Sequence, residues 1–221
     1  FTRLQFASVQ FKPLQFTWLQ FALTVVVAFS MASQARGDEP QFRRHVINSD
    51  STYSACAVFD VNGDGLLDII SGGFWYAAPT WKKHFLRDVA EIRGRFDDYS
   101  NLPLDVDADG DLDLISVNYR SSSIYWVKNP GAELAVRNAA VKIPWEQVVA
   151  ATPGAMETGR LVDVDGDGRL DVLPNGTKFA AWWSVEPGAT PKWNRHELPV
   201  EVAGHGVGFG DINGDGRSDI I

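Results

Sequence analysis

Cysteine is almost missing from this sequence: Cys56 stands alone in 221 residues. No internal disulfide can form, so oxidative cross-links do not hold the fold, and a lone thiol of this kind is expected to be a small buried residue. Positive charge is also scarce. Lys and Arg number 20 against 28 Asp and Glu, and the formal charge of −8 excludes the extended basic surface that nucleic acid requires. The chain holds no Ser-His-Asp order, no phosphate-cradling glycine loop and no His-Glu-x-x-His signature, which removes the common hydrolase, nucleotide-binding and metalloprotease readings.

Long apolar runs are missing as well, with one exception at residues 16–31. Arg3 and Lys12 precede that run and the small residues Ser33 and Ala35 follow it, so residues 1–35 read as a secretory signal peptide. Thr17, Gln20 and Thr24 interrupt the run, and its length is short for a bilayer span, which makes a retained anchor the lesser alternative. An acidic linker at 36–41 then leads into 42–221, a domain expected to be secreted, periplasmic or cell-surface, with no membrane span after cleavage.

What the chain has in abundance is one short acidic pattern, repeated. Copies begin at Asp60, Asp105, Asp163 and Asp211, at intervals of 45, 58 and 48 residues. The first position is always Asp, the third is Asn62, Asp107, Asp165 or Asn213, and the fifth is Asp64, Asp109, Asp167 or Asp215. Gly follows at the sixth, and Asp68, Asp113, Asp171 or Asp219 closes the ninth. Carboxylates held a few ångströms apart repel by about 4 kcal/mol per pair at a surface-like dielectric, and a divalent cation turns that repulsion into coordination. Alternate side chains converge in a tight loop, the glycine permits the turn, and the seventh carbonyl (Leu66, Asp111, Arg169, Arg217) adds an oxygen. Six or more oxygens suit Ca2+, about four ions in all, better than Mg2+. The loops are expected to be structural clamps rather than calcium sensors, because they recur inside hairpins.

Each loop sits among segments of β character. The runs at 67–70, 112–115 and 170–173 follow directly, then aromatic segments at 74–76, 124–127 and 179–183. A further element with alternating pattern recurs at 42–47, 81–86, 193–198 and, in degenerate form, 145–149. His45, His84 and His196 share one position in it and are assigned packing or surface duty. The spacing from this element to the next loop is constant except before Asp105, where six residues are inserted. Four strands per unit and a period of this size predict an all-β chain, a β-propeller of four-stranded blades. The strand at 42–47 is expected to complete a final blade.

These D-x-[DN]-x-D-G-x-x-D loops between strands resemble FG-GAP or VCBS repeats, the family of integrin-α-like propellers. An EF-hand would need Glu at position twelve, where Ser71, Ser116 and Pro174 stand. Helical segments would follow a dockerin loop, whereas strands follow here. The resemblance implies a six- to eight-bladed ring of which about three and a half blades are present, so the chain is expected to be part of a longer protein.

Six residues before each loop stand Ser54, Tyr99, Glu157 and His205, all polar and all different. In the resembled fold this position begins the innermost strand, at the mouth of the channel opposite the metal loops. Glu157, His205, Tyr99 and Asp98, with Asp97, Thr158, Arg160, Arg93 and Arg95 nearby, are therefore candidate site residues. Two functions fit. The first is a calcium-stabilised module that binds a protein or carbohydrate, or acts as a scaffold. The second is the propeller domain of a carbohydrate-active lyase or dehydratase, similar to that of aldos-2-ulose dehydratase, with residues 156–160 and 204–206 near its active site.

Overall fold

The computed structural model describes residues 41–221; the leader expected at 1–35 and nearly all of the linker expected at 36–41 lie outside them. Residues 41–45 carry no helix or strand, and residues 46–221 form one compact unit. The strand expected at 42–47 is not formed. An outer strand is held by its ladder to the strand inside it, and Phe42, 93% exposed, buries nothing in exchange.

Three four-stranded antiparallel sheets follow in chain order, and each is a simple meander. The first contains β1 (Ala57–Phe59), β2 (Asp68–Ser71), β3 (Phe74–Ala77) and β4 (Lys82–Phe85). A small hairpin, β5 (Glu91–Ile92) and β6 (Arg95–Phe96), comes next. The second sheet contains β7 (Ser100–Leu104), β8 (Asp113–Val117), β9 (Ile124–Val127) and β10 (Gln147–Ala151). The third contains β11 (Met156–Val162), β12 (Asp171–Gly176), β13 (Ala181–Glu186) and β14 (Lys192–Glu197). A fourth begins as β15 (Phe209–Gly210) paired with β16 (Asp219–Ile220). This is a partial β-propeller of three blades and the inner half of another, as the repeats predict.

Packing follows from the blade arrangement. Leu114 and Val127 share a core with Phe59, Ile70 and Trp75 of the first sheet, while Ile115 and Trp126 share another with Met156, Val172 and Trp183 of the third. The middle blade is thus covered on both faces, and every residue of β8 is buried. The inner strands β1, β7 and β11 lie side by side. Gly159 makes that approach feasible, because a Cβ there would stand 3.1 Å from Val117 and 3.2 Å from Leu102. Ser100 Oγ fills the remaining gap by accepting the Gly159 N–H at 3.2 Å.

Three details depart from expectation. The six inserted residues form the β5–β6 hairpin, closed by Arg93 and Gly94 at positive φ. A helix, α1 (Ala132–Val141), interrupts the second blade and rests beside β4 with Ala135 and Ala139 buried. Cys56 is exposed rather than buried. Strand alternation explains that correction, since Ala55, Ala57 and Phe59 face the core and leave Cys56 and Val58 on the other side. Among the described residues no helix is long and apolar enough to cross a membrane.

Candidate functional site

The four acidic loops share one backbone conformation. Positions four and six both have positive φ: Gly63 and Gly65, Ala108 and Gly110, Gly166 and Gly168, Gly214 and Gly216. Sequence reasoning identified the sixth position but not the fourth. The first carboxylate accepts the N–H of residue six in every copy, at 2.7, 3.2, 2.9 and 2.8 Å in chain order. The fifth accepts the N–H of residue seven at 2.8, 3.0, 2.8 and 2.9 Å. The ninth reaches back to the N–H of residue two at 3.1, 3.1, 2.9 and 3.0 Å. Backbone donors therefore aim these carboxylates inward before any ion is considered.

Two loops bring three carboxylates together. Asp105, Asp107 and Asp113 place one oxygen each within 4.8 Å of one another, as do Asp163, Asp165 and Asp171. Such a cluster can hold a metal ion. The second loop is the more enclosed, and Asp105 Oδ1 and Asp107 Oδ1 are buried there without a hydrogen-bond partner. A buried carboxylate oxygen without a donor costs free energy that a hard cation would recover. The residues present therefore fit an oxygen-ligated cation. Burial pushes the Asp113 carboxyl up to about 6, against N–H donation from Asn129, Trp126 and Val106. Burial likewise raises Asp68, Asp111 and Asp171, and neighbouring carboxylates add to the effect on all three.

At the other end of the inner strands the predicted site residues fall into two groups, with Asp97 and Asp98 outside both. Five residues of β7 span about 17 Å, at about 3.4 Å per residue, between Tyr99 and the second loop. Tyr99 and Ser54 line one cavity of about 410 Å³ together with Glu91, Arg95 and Phe96 of the inserted hairpin. The Tyr99 hydroxyl accepts the Arg120 Nε–H at 3.2 Å. Glu157 and His205 meet separately, Oε2 to Nδ1 at 2.9 Å, in an exposed position. Asn175, which the repeat comparison missed, sets this second group: its Oδ1 accepts from Glu157 N and Thr158 N, and its Nδ2 donates to Gly204 O.

Asp98 and Asp97 do not join either group. Asp98 is 1% exposed and pairs with Arg87 at 2.9 Å, while Asp97 is buried and accepts the N–H groups of Arg120 and Ser121. Arg87, itself 3% exposed, donates to Gly72 O and Gln147 Oε1 as well, so it ties the first blade to the second. Two of the repeat-position histidines pack against aromatic rings: His84 stacks on Trp75 and His196 on Trp182, with centroids 4.2 and 3.9 Å apart.

No curated protein matches the chain. Among solved structures, a lectin of Agrocybe aegerita, described as specifically recognising non-reducing terminal N-acetylglucosamine, aligns with TM-score 0.46 and 17% identity. The alignment covers 77% of this chain and 47% of that one, so this chain spans less than half the length of the lectin. A family model for the FG-GAP-like repeat matches residues 105–174 and again 163–221, and the two matches together take in the second, third and fourth acidic loops. The chain belongs to the FG-GAP-like repeat family.

Proposed function

We propose that this chain is an extracellular binding module whose blades are clamped by Ca2+ in the acidic loops and whose ligand, a protein or a carbohydrate, is taken at the opposite end of the inner strands. The observation that carries the metal half is the pair of buried, donor-free oxygens on Asp105 and Asp107. Four side chains and a backbone carbonyl per loop supply the oxygen-rich set that Ca2+ prefers. Bound Ca2+ offsets part of the carboxylate charge in each loop, and by mass action it stabilises the folded chain. The ligand half rests on the cavity beside Tyr99, whose volume of about 410 Å³ lies in the range typical of small-molecule sites, about 300–1,000 Å³.

A second reading, a sugar lyase or dehydratase domain, draws on the Glu157–His205 contact, since a carboxylate beside an imidazole is suited to moving a proton. The experiment that separates the two is a paired one. Tyr99→Ala and the double variant Glu157→Ala/His205→Ala are assayed for retention on protein and glycan arrays and for turnover of sugar substrates. Loss of retention in Tyr99→Ala without any turnover supports the binding module. Turnover abolished by the double variant supports the enzyme.

A further inference from the structure

The four loops are not equivalent, and the difference lies on the strand behind them. Continuing the registers Ile69↔Tyr76 and Leu114↔Val127 by one residue, the ninth-position Asp faces Ala77 in the first blade and Lys128 in the second. In the third blade the Val172↔Trp183 register places Ser184 opposite Asp171. Lys128 is thus the one cation among these three cross-strand positions. Its Nζ pairs with Asp107, whose side chain is 2% exposed, and it also lies in the field of Asp109 and Asp113.

Loop composition points the same way. The second loop carries five Asp, adding Asp111 at position seven, where the first loop has Leu66 and the third and fourth have Arg169 and Arg217. The Arg169 guanidinium turns outward to Asp167, with both side chains substantially exposed. Among the described residues, Lys128 alone pairs with a buried carboxylate of these loops. Asp107 uses one oxygen for it while the other has no partner.

We infer that Lys128 is a built-in competitor of the metal in the second loop: its ammonium occupies Asp107 when the ion is absent and must be displaced when the ion binds. This rests on the proposal that the loops bind Ca2+. The loop with the most carboxylates is thereby held below the affinity its charge would give it. The pairing also relieves carboxylate repulsion in the ion-free state, so the second blade keeps its loop closed without metal.

The test is calorimetric Ca2+ titration of the full chain as wild type, Lys128→Gln and Lys128→Met, with circular dichroism to establish that each variant is folded. Removing the ammonium is expected to tighten one site about ten-fold, equivalent to about 1.4 kcal/mol, and to leave the others unchanged. The gain is expected to shrink as salt rises, because the competing pair is screened. Unchanged or weaker Ca2+ binding in both folded variants, alongside normal binding by wild type, overturns the role of Lys128 and leaves the calcium reading standing. No binding by wild type or variant overturns both. Should both variants unfold, wild type titrated across salt concentrations decides: the competitor predicts one site that weakens less steeply with salt than the rest, and uniform weakening of all sites rejects it.

Discussion

Replacing Arg87 by Met isolates the tie between the first and second blades. The substitution keeps most of the side-chain volume but leaves the Asp98 carboxylate, 1% exposed, without its counter-ion. Breaking a buried pair from one side costs about 3–5 kcal/mol. A second route gives a similar figure. The stranded carboxyl can escape by taking a proton, and with an ordinary value of about 3.9 and about 1.4 kcal/mol per pH unit, protonation at pH 7 costs about 4 kcal/mol. That cap falls to about 1.5 kcal/mol at pH 5. The folded-state pKa of Asp98 in the variant is raised above the unfolded value, so the penalty is fully present at neutral pH and disappears as pH falls toward 4. Urea unfolding followed by tryptophan fluorescence should therefore show Arg87→Met destabilised by about 4 kcal/mol at pH 7 and by much less at pH 5. Removing the carboxylate as well, in Arg87→Met/Asp98→Leu, should recover most of the loss. A single variant within about 1 kcal/mol of wild type, or a double variant no better than the single, would refute the reasoning.

Three further outcomes follow from local geometry. Ala108 holds φ 61° where the other loops use glycine. Ala108→Gly should raise stability by up to about 1 kcal/mol, since a left-handed L-residue costs about 1–2 kcal/mol and glycine returns part of that as entropy; thermal melts with and without Ca2+ check it. Gly159→Leu should destabilise strongly, because even a Cβ at this position meets Val117 and Leu102 within 3.2 Å; chemical denaturation measures it. Burial, aided by Lys82, lowers the pKa of His84 below its ordinary 6.5, with Asp68 opposing. The neutral ring is favoured when folded, so its contribution is intact above about 6.5 and lost as pH falls through the folded value. Comparing His84→Gln with wild type between pH 7.5 and 5, about the range in which histidine titrates, should show a flatter stability profile in the variant.

The parts of the fold that were legible in the sequence are those governed by short-range spacing. Each acidic loop is a nine-residue unit whose turn and carboxylates are local, so its outline could be read from the pattern, whereas the Ala78, Trp126 and Asn129 donors to the ninth-position Asp come from the neighbouring strand or just past its end. The aromatic strands were legible for the same reason. Other features depend on residues brought together by tertiary structure. Arg87 follows Leu86 with nothing nearby in sequence to mark it as buried, and its partner Asp98 lies beyond the inserted hairpin, so only tertiary structure shows that it is core rather than rim. Apolar residues at Ala55, Cys56, Ala57, Val58 and Phe59 hid the phase of β1, which only the packing face decides. A local signal for α1 is present in the sequence: Pro130-Gly131 precedes an Ala-rich run with Ala135 and Ala139 one turn apart. At the opposite end of the inner strands, position in the repeat located Tyr99, Glu157 and His205, but pairing of the last two required Asn175 to hold both segments.

The most direct test of the central claim is calorimetric titration of the metal-free full chain with Ca2+, with Asp105→Asn/Asp107→Asn as the comparison. The account predicts about one ion per loop, a thermal transition that rises with Ca2+ concentration, and the loss of one equivalent in the double variant. An unchanged thermal transition in excess Ca2+ or excess chelator, with no heat of binding, would contradict it.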